Sequence, residues 1–129
     1  MAWHNEIGKI GEEMAAEHLT KLGYDILERN YSYDKAEVDI IARKGDVLVS
    51  AEVKLRSSTD FGNPQDFVNN KKIGRLVKAM NHYVESNDLD VNVRFDIIAI
   101  VVNGKQFNLQ HIEEALVNTE CLHFKILLN

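Results

Sequence analysis

Glu37-Val38-Asp39-Ile40-Ile41-Ala42-Arg43, then Lys44-Gly45, then Asp46-Val47-Leu48-Val49-Ser50-Ala51-Glu52-Val53-Lys54-Leu55-Arg56 is the stretch on which the reading of this chain turns. Apolar and β-branched residues dominate both halves, and a two-residue break with glycine second is a tight-hairpin signal. It predicts two antiparallel strands, 37–43 and 46–56, turning on Lys44-Gly45. Strand side chains alternate between faces, so Leu48, Ser50, Glu52 and Lys54 share one face and Val47, Val49, Ala51 and Val53 the other. With Arg43 paired to Asp46, Asp39 falls opposite Ser50 and diagonal to Glu52, on the same face. Diagonal neighbours lie roughly 7–8 Å apart, near enough for two carboxylates to bridge one ion. A one-residue slip would carry Asp39 to the other face and destroy the site.

Three charges inside apolar strands need a reason, because burying a charge is unfavourable unless it is paired or holds a metal. Asp39 and Glu52 offer hard oxygen donors that suit Mg²⁺ or Mn²⁺, ions that keep several waters and complete their shell with substrate phosphate. Lys54, two residues after Glu52, can orient an attacking water or steady charge on a phosphate. The chemistry implied is metal-assisted phosphodiester hydrolysis. The spacing alone also fits a solvated ion pair on a sheet edge. The apolar flanks and the basic helix that follows favour chemistry.

Working outward, apolar residues at helical spacing (Ile7, Ile10, Met14, Ala15, Leu19, Leu22) predict a helix over 7–22, stopped by Gly23. A strand is expected over 24–31, a loop over 57–66, and a second helix over 69–85. That helix sets Ile73, Leu76, Val77, Met80, Tyr83 and Val84 on one side and Lys71, Lys72, Arg75 and Lys78 on the other. Strands over 91–102 and 106–109, joined at Asn103-Gly104, and a short tail helix over 112–117 complete the chain. The order α-β-β-β-α-β-β predicts an α/β domain, a mixed sheet flanked by helices, as a single unit over residues 1–129.

At 45% hydrophobic and 27% charged residues the chain has the composition of a folded domain rather than a disordered one. The start at Met1 lacks the pattern of a signal peptide, and the most apolar run, 95–102, is too short to span a bilayer. The lone Cys121 excludes an intramolecular disulfide and fits a reducing, cytoplasmic setting. One Cys and five scattered His give no zinc spacing, and the His receive no role. The net charge of −5 argues against a nucleic-acid partner, but it is unevenly spread. Residues 43–78 carry eight Lys/Arg against four Asp/Glu, a net +4 on a chain that is otherwise −9. The Lys71 to Lys78 stripe could follow a phosphate backbone or simply be a solvated face. Trp3 and Tyr33 could stack on bases, although a lone aromatic is more often a packing residue. Arg94 and Asp96 read as a structural pair.

These motifs together resemble the YraN family of endonuclease-like proteins, within the PD-(D/E)XK nuclease superfamily and related to Holliday junction resolvases. The match covers roughly residues 8–115: Gly8-x-x-Gly11-Glu12-x-x-Ala15, Leu22-Gly23-Tyr24, Arg29-Asn30-Tyr31, Glu37-Val38-Asp39-Ile40-Ile41-Ala42, Glu52-Val53-Lys54-x-Arg56, Phe61-Gly62-x-Pro64, Lys71-Lys72, Arg94-Phe95-Asp96 and His111-Ile112-Glu113-Glu114-Ala115. The resemblance implies a restriction-endonuclease-like core with Asp39, Glu52 and Lys54 as catalytic residues. Glu12 would join Asp39 and Glu52 around Mg²⁺ or Mn²⁺, and Arg56 would contact phosphate beside Lys71, Lys72, Arg75 and Lys78. Two departures, Ala36 for a usual Gly and Leu55 for a usual Thr, bear on substrate fit rather than on metal ligands. The expected partner is DNA, branched or at a junction, cut by a homodimer because a four-way junction needs two symmetric cuts. The alternative is a non-catalytic nucleic-acid-binding module working with other proteins in DNA repair or uptake.

Overall fold

In the computed structural model, residues 2–57 and 70–115 are described. The expectations for the Trp3 side chain, the Phe61-Gly62-Asn63-Pro64 loop, Cys121 and residues 116–117 of a tail helix lie outside the described residues.

Helix α1 (Ala2–Lys21) leads into strands β1 (Asp25–Tyr33), β2 (Ala36–Lys44) and β3 (Val47–Ser57). Helix α2 (Asn70–Ser86) follows, then β4 (Asn92–Asn103) and β5 (Gln106–Ile112). The strands form one sheet in the order β1-β2-β3-β4-β5, antiparallel except for the parallel β3–β4 pair. Parallel neighbours require a long crossover, and the segment containing α2 provides it. The predicted mixed sheet with flanking helices is what the chain forms.

Each helix covers one face. Ala15, Ala16 and Leu19 of α1 pack on Ile40, Ala42, Val49, Ala51, Ile98 and Ile100. Ile73, Leu76, Val77, Met80 and Tyr83 of α2 pack on Val38, Ile41, Leu48, Phe95 and Ile97. A Cβ at Gly11 would stand 3.4 Å from Leu55 and 3.5 Å from Ile100, so α1 runs close over the end of β3. Its buried face is narrower than the periodicity suggests: Ile10 and Leu22 are exposed, because the small residues Gly11, Ala15 and Ala16 make the contact. Helix α1 ends as expected at Gly23 (φ 96°), where Tyr24 N–H reaches the Leu19 carbonyl and Gly23 N–H the Thr20 carbonyl.

The central hairpin departs from the expected register. Lys44 pairs with Val47, so the turn is Gly45-Asp46, with Gly45 first and at φ 61°. Glycine at the first turn position takes the left-handed backbone that such a turn demands there. Each strand moves one step relative to the prediction, so the alternation of faces survives. The ladder runs from Lys44↔Val47 to Ile40↔Ala51, so Ser50 faces Ile41 rather than Asp39, and the pairing stops before Asp39. In β1 a bulge between Ile26 and Glu28 accommodates Leu27. At the other end of the sheet β5 continues to Ile112, and residues 113–115 form a turn where helix was expected. The buried Asp96 carboxylate and the Phe95 carbonyl hold that turn through Glu114 N–H and Ala115 N–H.

Candidate active site

Strict alternation would set Val38 on the same face as Ile40, yet Val38 packs under α2 with Ile41. The break falls at Asp39, across from Asn30, which adopts φ 53° between the pairs Arg29↔Ile40 and Tyr31↔Val38. Where β2 parts from β3, Asp39 Oδ2 accepts the Val53 N–H at 2.8 Å. That bond fixes one carboxylate oxygen against the β3 backbone and leaves the other to the cleft.

Glu52 stands on the α2 face of β3 and is 7% exposed, deep enough that its charge needs partners. It has two: Lys72 Nζ donates to Glu52 Oε1 at 2.8 Å, and Lys54 Nζ lies 3.3 Å from the same oxygen. Sequence reasoning placed Lys72 on phosphate; the structure turns it inward onto the acid.

The electrostatics separate the groups. Burial first, then the Glu52 charge, push the Asp39 carboxyl up to about 6, against the Val53 hydrogen bond, and the Glu12 charge adds to the rise. Burial also drives Lys54 down, with the Lys72 charge helping and Glu52 opposing. For Lys72 burial acts downward too and is the largest single influence, but the Glu52 bond and charge, with Lys54 and Asp39, together hold the ammonium up. Lys54 is therefore the lysine biased toward giving up its proton.

Asp39 and Glu52 open onto a cleft of about 450 Å³ that Lys71, Lys72 and Arg75 of α2 also line, with Lys35 and Glu37 from the β1–β2 hairpin. Lys35 was missed in the sequence, because only the hairpin fold brings it to the cleft. Glu12 is half-buried on α1, and its charge reaches Asp39. Arg56 donates to the Leu55 carbonyl at 2.8 Å and does not line this cleft. Lys78 sits further along α2 in an adjoining cleft. Among the described residues no group of three or more His, Cys, Asp or Glu side chains converges as a metal cage. Two carboxylates facing open space still match the habit of Mg²⁺, which binds through one or two acids with waters and substrate phosphate making up the rest.

On the opposite side of the sheet lies a second polar cluster. Asp96, 1% exposed, accepts two bonds from Arg94 at 2.9 Å, one from His111 Nε2 at 2.7 Å and one from Glu114 N–H. His111 Nδ1 meets His18 Nε2 at 2.9 Å, and Arg94 also donates to the Tyr24 hydroxyl. Burial works to raise the Asp96 carboxyl, but the bonds from His111, Arg94 and the Glu114 amide win and hold it below the usual carboxylate range. The structural reading of Arg94 and Asp96 holds. His18 and His111, given no role from sequence, are part of the same cluster. Their spacing carries no signal, because partners 93 residues apart meet only in the fold.

The sheet order and the helices on both faces define an α/β domain whose charged cleft opens where β2 and β3 part. The chain belongs to the family described as uncharacterised protein family UPF0102, whose pattern matches residues 11–100. Similar proteins of that family occur in Christiangramia forsetii (61% identical, covering 89% of this chain and 97% of the relative) and in Flavobacterium psychrophilum (57%, with the same coverage). A relative in Phocaeicola vulgatus is 47% identical over 89% of this chain and 95% of its own. The YraN-like resemblance thus holds at the level of the family. Among the described residues no helix is long and apolar enough to cross a membrane.

Proposed function

We propose that this chain is a metal-dependent endonuclease that hydrolyses phosphodiester bonds in DNA, with branched or junction DNA as substrate. The observation that carries the reading is the pair Asp39 and Glu52 at one end of β2 and β3, opening onto a cleft edged by Lys35, Lys71, Lys72 and Arg75, with Lys54 Nζ 3.3 Å from Glu52 behind it. Asp39 and Glu52 would hold Mg²⁺ or Mn²⁺; burial first, then the Glu52 charge, disfavour the ionised Asp39 carboxylate, and a divalent cation would offset both. When bound, the ion supplies Lewis acidity and lowers the pKa of its water. Lys54 orients the attacking water or steadies charge developing on the phosphate. Lys71 and Arg75 draw the phosphate backbone to the cleft mouth. Lys72 balances the Glu52 charge, a part that a bound cation would share.

The test is incubation of purified protein with branched and single-stranded DNA in Mg²⁺ or Mn²⁺. Cutting by the wild type that disappears in Glu52→Ala and in Lys54→Ala supports the reading; cutting that survives both substitutions contradicts it.

A second reading is a non-catalytic nucleic-acid-binding module in a DNA repair or uptake complex. It draws support from the Lys72 bond, which occupies a carboxylate oxygen that a cation would need. Salt-dependent binding without cutting would favour it.

A further inference from the structure

Tyr33 closes the β1–β2 hairpin, paired with Ala36, and its ring lies flat on His82 of α2, with centroids 4.0 Å apart and planes 20° from parallel. His82 is held in turn by Ser86 Oγ at 3.2 Å from Nε2. Despite the stack, Tyr33 stays 36% exposed, so ring surface remains open to solvent beside a partner already aligned for stacking.

The surroundings indicate what would lie there. Lys71, Arg75, Lys78 and His82 are spaced i, i+4, i+7 and i+11 on α2, so they form one stripe roughly 16 Å long. Lys71, Arg75 and Lys78 pair with no acid among the described residues. The cleft holding Asp39 and Glu52 shares Lys35, Ala36 and Arg75 with the adjoining cleft of about 230 Å³ that reaches Tyr33, so the two form one groove. Asp34 is the acid in the outer part, against Lys35, Arg75 and Lys78. A cationic track that ends on an exposed, preassembled aromatic pair has the two components with which proteins hold single-stranded nucleic acid: charge along the backbone and a ring face for a base.

We propose that the stacked Tyr33–His82 pair is a base-stacking platform, and that the strand held in this groove carries an unpaired base where it leaves the acids. The assignment of that strand as a substrate to be cut rests on the nuclease reading; the platform does not. Paired bases in a duplex keep their faces covered, so the platform discriminates in favour of single strands, flaps and junction arms.

Fluorescence anisotropy with the full chain, in EDTA so that nothing is cut, tests the platform on a labelled single strand and on a blunt duplex of the same sequence. Wild type should bind the single strand more tightly. Tyr33→Leu, which keeps an apolar lid on the hairpin, should lose roughly 5- to 100-fold in single-strand affinity while duplex affinity and the salt dependence stay unchanged. Tyr33→Trp should match or exceed wild type. Thermal melts showing both variants folded remove a purely structural explanation. Equal loss on both DNAs, no loss on either, or no binding of either DNA by wild type would overturn the platform. Tyr33-dependent single-strand binding by a protein that never cuts in Mg²⁺ or Mn²⁺ would support the platform and overturn the nuclease reading. Cutting abolished by Glu52→Ala but indifferent to Tyr33 would do the reverse.

Discussion

Lys72 Nζ sits 2.8 Å from Glu52 Oε1, closer than Lys54, the lysine two residues along the same strand, which approaches that oxygen at 3.3 Å. Lys72 is thus the cation bound most tightly to a carboxylate proposed to hold a metal. Removing it should free the oxygen: Lys72→Met is expected to bind Mn²⁺ roughly tenfold more tightly than wild type, equivalent to about 1.4 kcal/mol. Calorimetric titration without DNA reads this. Weaker binding in the variant would show that Lys72 supports the ion rather than competes with it.

Asp39 takes up its proton more readily in the folded chain than in the unfolded one, with a carboxyl near 6 rather than 3.8. The stability this gives is whole below about pH 4 and is lost as the pH rises through 6. Asp39→Asn keeps an acceptor for Val53 N–H and removes the buried charge. Its unfolding free energy should therefore gain on wild type between pH 4.5 and 7.5, by about 2 kcal/mol. Urea titrations at several pH values measure the difference; a constant offset would contradict the assignment.

The same carboxyl makes cation binding pH-dependent, because a ligand acid must be ionised. Mn²⁺ affinity should fall by about tenfold from pH 7.5 to pH 5, as Asp39 takes up its proton. A flat profile would exclude Asp39 as a ligand.

Asp96 lies on the other side of the sheet and should act on stability alone. Asp96→Ala leaves the Arg94 charge half-buried without its main partner and should cost about 3–5 kcal/mol in urea unfolding. Because the Asp96 carboxyl is held low, the stability it gives is present above the ordinary carboxylate range and is lost on acidification below it. Cation affinity at Asp39 and Glu52 should be unchanged in any folded fraction.

Lys78 is the sharpest probe of the groove, being exposed and remote from Glu52. Lys78→Gln should lower the slope of log affinity against log salt on single-stranded DNA by about 0.7, the value for one lost phosphate contact. An unchanged slope would assign Lys78 to a solvated face.

The order of the elements, the helix-covered mixed sheet and the shared face of Asp39 and Glu52 were legible because alternation in β3 and periodicity in α2 are local signals. The register was not. Lys44-Gly45 and Gly45-Asp46 are both plausible two-residue turns, and the choice rests on which position needs the left-handed backbone; here Gly45 supplies it at the first. The shift of one step in each strand keeps the faces of the paired residues, and Asp39 itself is set where the alternation breaks, by the Val53 N–H. Lys72 was grouped with the basic stripe expected to contact phosphate, yet one step of about 100° from Lys71 turns it toward the sheet, where only the packing angle of α2 brings it to Glu52. Tyr33 and His82, and likewise His18 and His111, are pairs made by tertiary structure between segments far apart in the chain. No spacing rule reaches them.

The central claim is that Asp39 and Glu52 share a divalent cation, and a crystal soaked in Mn²⁺ measures it directly. Anomalous density at coordination distance from an oxygen of each carboxylate, with Lys72 swung off Glu52, is the predicted result. At saturating Mn²⁺, an absence of density there with Lys72 still seated on Oε1 would contradict the account.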